Sequence, residues 1–359
     1  MSYPKLKINL ESIRRNTKEI TCRAKEKGID IFGVVKVANG IFEVAEAMVE
    51  GGCVGIASSR IRHLHSFKEK GLDVPMMLVR IPMISEANEV VGYSDISLQS
   101  DMKVLSAIND EAVKLGKSHG VILMKDVGDL REGFWSDSDL MEAAEFTESA
   151  KGLSLMGIGT NVGCYGSVVP TNEKLDELAL SAGKIEDLID RKLQYISGGA
   201  TSSFARIIDD DMPNKINMLR MGEGILFGDD LVEGYGYEMP YINHRSFILE
   251  AEVVEVKKKP SHPVGQLAFD AFGRTPEYND IGIRRRALLA VGKADYGDEG
   301  GLTALKPGIK VIGASSDHTI LDITDADFDI CVGDKVALVL KYQNVLYATN
   351  TADIKVLIR

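Results

Sequence analysis

The sequence has no closely spaced cysteines. Cys22, Cys53, Cys164 and Cys331 lie far apart and form no CxxC pair, so neither a zinc site nor a disulfide frame is indicated. The six histidines are equally scattered. His63 and His65 are two apart, on different faces of a helix, so all six read as structural or surface residues and no metal is expected. No apolar run approaches the roughly 18 residues of a membrane helix. The opening MSYPKLKINL has no apolar core of a signal peptide. There is no basic excess either: the formal charge is −11 with both signs interspersed, which argues against nucleic acid or a membrane as partner. Repeats and low-complexity tracts are missing. A soluble chain in the cytoplasm is the default expectation.

What is present is organised in two styles. Of the 359 residues, 45% are hydrophobic, enough for a barrel and a second domain. Eight short apolar runs bounded by Gly, Asp or Ser read as buried parallel strands: 31–36, 54–58, 76–80, 95–98, 120–125, 153–160, 193–199 and 218–222. Helical stripes lie between them. Leu175, Leu178, Ala182, Ile185 and Ile189 make the clearest one. Ile41, Ala45, Met48 and Val49 share another, stopped at Gly51-Gly52, and a third runs from near Ser100 to Gly116. Eight such units fit a (β/α)8 TIM barrel of about 250 residues. The rival open sheet would show GxGxxG after its first strand, and this chain does not. After about residue 240 the pattern becomes β-branched segments and turns, such as FILEAEVVEVKKK and DKVALVLKY, which read as an all-β domain. The expected division is 1–238 and 239–359, with residues 5–10 a candidate to join the β domain.

Active groups of a barrel sit at the C-terminal ends of its strands. Lys36 ends the first run, with its stem starting in the core. Such a lysine is costly unless paired, neutralised or converted to an imine; a lysine reaching out to solvent is the plain alternative. The turns SGGATSS and RMGEG follow the last two runs. Gly-rich turns with hydroxyls there are the usual phosphate site of a barrel. Together with Lys36 they make a coherent pyridoxal 5'-phosphate (PLP) constellation.

These residues resemble the PLP-dependent alanine racemase family, most closely its ornithine racemase branch, over nearly the whole chain and in order. GVVKVANG resembles the family's lysine motif, which implies that Lys36 carries the cofactor as an imine. DVGDLREG resembles the segment whose arginine, here Arg131, lies near the cofactor's phenolic oxygen and the substrate carboxylate. GIGTNVGCYG resembles the sixth-strand segment, with Asn161 in place of a histidine. SGGATSS and LRMGEGILFG resemble the phosphate-holding segments, which implies roles for Thr201, Ser202, Gly222 and Glu223, with Arg220 at the pyridine nitrogen. DAFGRTPE and GASSDHTILD resemble β-domain segments that reach a partner's site in a homodimer.

Three departures bear on the substrate. Phe272 stands where the family's second-base tyrosine is expected. Asn39 and Gly40 replace the phosphate-binding tyrosine in a shortened loop. Met124 occupies the carbamylated-lysine position. The second proton carrier is therefore open between Asp270, two residues before Phe272, and Cys164. A basic substrate such as ornithine would need an anion for its terminal ammonium, for which Asp270, Asp295 and Asp317 are candidates. The reading is an amino-acid racemase. The alternatives are a fold-related decarboxylase of a basic amino acid and a non-catalytic PLP carrier.

Overall fold

The computed structural model describes residues 3–275 and 277–359, and the chain divides into two compact units. One is Leu10–His244. The other combines the start of the chain through Asn9 with Arg245–Arg359. Residues just before the division belong to the first unit because its first helix, Leu10–Glu26, holds them. Asn16 donates to the Asn243 carbonyl at 3.0 Å and accepts from its N–H at 2.8 Å, and the Arg23 guanidinium lies 3.9 Å from the Tyr241 ring centre.

Strand β1 (Lys5–Ile8) precedes the first unit. The barrel is β2 (Asp30–Val34), β3 (Gly55–Ser58), β4 (Met76–Leu78), β5 (Ile96–Gln99), β6 (His119–Met124), β7 (Leu153–Gly159), β8 (Tyr195–Ser197) and β9 (Met218–Met221). All neighbours are parallel, and β9 closes on β2 with Arg220 opposite Phe32. Short runs buried on both sides form such strands, since each backbone must pair and each side chain must find apolar contact. Phe32, Val34, Ala57, Met77, Leu98, Ile122 and Met124 pack in the interior. Helices begin where a side chain can cap free N–H groups. Asp101 caps Met102–Lys114, Ser136 caps Asp137–Ser149 and Thr171 caps Asn172–Ile189. The helix Phe42–Glu50 buries Val44, Ala45, Ala47 and Met48, so Val49 is off the face assigned to it. Among the described residues, no helix is long and apolar enough to cross a membrane.

The second unit is one eight-stranded sheet. Its later strands are β10 (Phe247–Pro260), β11 (Ile283–Leu289), β12 (Leu302–Ala304), β13 (Lys310–Ala314), β14 (Thr319–Asp322), β15 (Lys335–Leu340) and β16 (Lys355–Ile358). β1 joins it, antiparallel to β10 and parallel to β16. Two short helices, Lys293–Tyr296 and Tyr342–Ala348, were not visible as sequence stripes; buried Asn344 ties them by donating to the carbonyls of Tyr296 and Asp298.

Candidate active site

The first barrel strand ends at Val34, two residues before the lysine. Lys36 opens a single 3-10 turn, Lys36–Ala38. Asn39 and Gly40 follow with φ of 49° and 67°, and the tight loop leans on the exit of β3. His63 links the two: one ring nitrogen is 2.8 Å from Ser58 Oγ and the other 3.2 Å from Asn39 Oδ1. A Cβ on Gly40 would lie 2.4 Å from the His63 ring, so the loop requires glycine there for space and conformation. Burial, with Arg62 and Arg60 nearby, pushes His63 down to about 4, so it is neutral at pH 7.

Lys36 is partly buried. Desolvation holds its ammonium below the usual lysine range; Cys164 opposes that shift and Arg131 adds to it, with smaller influences from Glu132 and Arg220. These five side chains come from the exits of β2, β6, β7 and β9.

Each exit is built by specific bonds. In the segment after β6, Asp126 Oδ1 accepts the N–H groups of Gly128 and Leu130 at 2.8 and 3.2 Å. Buried Asp129 reaches the next loop, accepting from the N–H groups of Cys164, Tyr165 and Val168. Arg131 donates Nε and Nη2 to the two carboxylate oxygens of Glu132, and Nη1 to Cys164 Sγ at 2.8 Å. Buried Arg220 donates to Ser197 Oγ and, at 2.7 Å, to the Thr160 carbonyl, joining the exits of β7, β8 and β9. Burial pushes its guanidinium down to about 10, which leaves it charged at neutral pH.

The two glycine-rich turns lie together. Thr201 Oγ1 accepts the Gly224 N–H at 3.0 Å, which leaves its own hydrogen to donate, and Ser202 Oγ donates to the Val162 carbonyl at 2.8 Å. Gly222 brings its backbone against the first strand: a Cβ there would lie 2.9 Å from the Val34 carbonyl oxygen. Glu223 is buried. Its Oε1 accepts from the N–H groups of Asp229 and Asp230, while desolvation and the nearby Asp230 push its carboxyl up to about 8.

Two buried polar atoms here, Asn161 Nδ2 and Glu223 Oε2, have no hydrogen-bond partner among the described residues. A polar group from outside would satisfy them. With an amine of lowered basicity, a free hydroxyl and a glycine-permitted close approach beside it, this site fits PLP. Tyr235 was not foreseen: its hydroxyl pairs with Ser202, and burial raises its pKa. Glu132 was not foreseen either, although it directly follows Arg131.

Asp270, Asp295 and Asp317 belong to the second unit. Asp270 Oδ1 accepts the N–H groups of Arg274 and Phe272 at 2.8 and 2.9 Å, which hold its carboxyl below the usual range. Asp295 accepts the Gly292 N–H at 2.9 Å, and Asp317 accepts from Ser316 Oγ at 2.5 Å. Phe272 lies under Lys293 Nζ at 4.7 Å. Met124 is fully buried in the barrel core.

A barrel with a lysine at its first exit, and hydroxyl-bearing glycine turns on its last two, is a barrel enzyme of the PLP type. Comparison with known proteins narrows the class. The sequence model described as alanine racemase, N-terminal domain, matches residues 8–230. A lysine racemase of Thermotoga maritima is 38% identical over 97% of this chain and 96% of its own length. An ornithine racemase of Acetoanaerobium sticklandii is 36% identical, covering 96% of each chain. The alanine racemase structure from Streptomyces lavendulae shares the fold, with a TM-score of 0.76 at 16% identity, over 100% of this chain and 97% of that one. The chain belongs to the alanine racemase family, and its cofactor is pyridoxal 5'-phosphate.

Proposed function

We propose that this chain racemises a free basic amino acid, ornithine or lysine, with Lys36 as the residue that binds PLP. The lysine and ornithine racemases that match it almost end to end support the substrate class. The observation that carries the assignment is the partly buried Lys36, set among Arg131, Glu132, Cys164 and Arg220, whose proton affinity burial lowers.

Thr201, Ser202 and the Gly222–Glu223 turn would hold the phosphate, Arg220 the ring nitrogen, and Asn161 and Arg131 other polar edges of the cofactor. Bound PLP withdraws electrons from the substrate's α-carbon and makes its proton removable. Arg220, charged at neutral pH, would keep the ring nitrogen unprotonated, which would favour prompt return of a proton over side reactions. Lys36 Nζ takes or returns the proton on one face, a role suited to an amine of lowered basicity. Arg131 binds the substrate carboxylate. Cys164 is the barrel's own candidate for the other face, since its sulfur is 2.8 Å from Arg131 Nη1. Asp270 is the second candidate, but its two backbone bonds favour the ionised form and suit ammonium binding better than proton transfer. Asp295 and Asp317 share that candidacy.

The working unit in this reading is a homodimer in which each β unit completes a partner's barrel mouth. Exposed apolar side chains on both surfaces support it: Trp135 and Tyr165 in the barrel-exit loops, and Val264, Phe269 and Phe272 in the β unit. The proposed location is the cytoplasm, in keeping with four unpaired cysteines.

The test is chiral chromatography of L-ornithine, L-lysine and L-alanine incubated in deuterium oxide, with borohydride reduction and peptide mapping alongside. The expected result is racemised basic amino acids, one deuterium at the α-carbon, and label on Lys36. Carbon dioxide release, or label on another lysine, overturns the reading.

A further inference from the structure

Arg131 must present its guanidinium in one orientation if it is to bind a carboxylate, yet it extends from a loop on a long, partly exposed side chain. Among the carboxylates of its segment, Asp126 and Asp129 accept backbone N–H groups and shape the loops. Glu132 instead accepts from Arg131, through both oxygens. The carboxylate is the more sheltered partner, 15% exposed against 36% for the arginine. An isolated surface pair is worth little, but a two-point pair anchored on a sheltered carboxylate fixes direction as well as charge.

We propose that Glu132 is the positioning residue for Arg131: it grips the guanidinium from the side and leaves the far edge to receive the substrate's α-carboxylate next to Cys164. The donor count supports this. A guanidinium has five N–H groups. Glu132 takes one from Nε and one from Nη2, and Cys164 Sγ takes one from Nη1. One hydrogen remains on each terminal nitrogen, the number an incoming carboxylate requires. The same contact sets the sulfur: Asp129 fixes the Cys164 backbone and Arg131 fixes its Sγ. Glu132 thereby governs where the carboxylate and the thiol sit relative to each other without touching either.

This inference rests on the racemase reading, so turnover by the unaltered protein is measured first and decides that reading separately. The inference is then tested with Glu132→Gln, Arg131→Gln and the double variant in the PLP-loaded protein, using acetate as a carboxylate probe that carries no ammonium. Glu132→Gln should raise KM for ornithine about tenfold while kcat falls less than about threefold. It should weaken acetate inhibition by the same factor. On the Arg131→Gln background it should add less than about twofold, because its effect passes through the arginine. Three results overturn the proposal: a KM rise with acetate inhibition unchanged, which makes Glu132 a reader of the ammonium; a full-sized effect on the Arg131→Gln background; or an unchanged KM.

Discussion

Arg220 and Asp270 both carry charge that the proposed reaction uses, and the chain holds them in opposite ways. Arg220 is buried and bonded to the exits of two further strands, so it cannot move without disturbing the barrel. Asp270 caps an exposed turn through two backbone N–H groups of its own loop. The same contrast separates Asp129 from Asp317. The barrel mouth is pre-organised by long-range bonds that order its groups on folding. Asp270, Asp295 and Asp317 of the β unit accept from groups within their own turns and can be positioned by whatever packs on them. Pre-organised charge suits chemistry common to every amino acid; locally held charge suits recognition of one side chain.

Arg220→Glu should produce the largest effect. It removes both ties and buries a carboxylate beside a carbonyl, costing about 3–5 kcal/mol. Thermal unfolding should show the loss, and racemisation should slow by at least about a hundredfold while keto-acid by-product rises. Asp129→Asn comes next. It turns one acceptor of the loop N–H groups into a donor, costing about 1–3 kcal/mol. It should lower kcat about tenfold through Cys164, and amide exchange across 163–168 should speed up.

Glu223→Gln sharpens the comparison by pH. The Glu223 carboxyl titrates at about 8 in the folded chain, above its ordinary value. The folded state therefore binds the proton more tightly, and stability falls as pH rises from the ordinary carboxyl range through 8. Glutamine removes that loss, so the variant should melt above the parent by more at about pH 8.5 than at about pH 5.5. Asp270→Asn should have the smallest effect on folding, within about 0.5 kcal/mol. It should raise KM for ornithine and relax rejection of neutral amino acids. If it instead abolishes turnover of both enantiomers while exchange persists on one face, Asp270 carries a proton and the contrast with the barrel fails.

The barrel was legible because each strand is a short run buried on both faces, and period and punctuation suffice for that. The gathering of Lys36, Arg131 and Arg220 at the barrel's exits was legible because each lies near the end of a strand run or follows one. The sequence reading carried the first strand through Lys36, since Val35 continues the apolar run; the 3-10 turn that ends it depends on Asn39, Gly40 and the His63 contact. Glu132 and Tyr235 were not legible because a charged or phenolic residue in a loop has no periodicity: Tyr235 meets Ser202, distant in sequence, and residue order does not show that Glu132 folds back on its neighbour Arg131. β12 and β16 are only 3 and 4 residues long, too short to show alternation.

Strand β1 has a consequence for how the chain is made. Residues 5–8 precede the barrel in the chain, yet their partners in β10 and β16 follow it. The barrel residues are contiguous and can collapse as they emerge, while β1 must wait as an unpaired edge until the sheet that accepts it exists. A circular permutant that begins at Leu10 and carries β1 after β16 through a crossover linker of about a dozen residues would remove that wait. Because the β1–β16 pairing is parallel, the end of β16 lies beside the end of β1, so the connection must cross back along the strand to reach the start of β1.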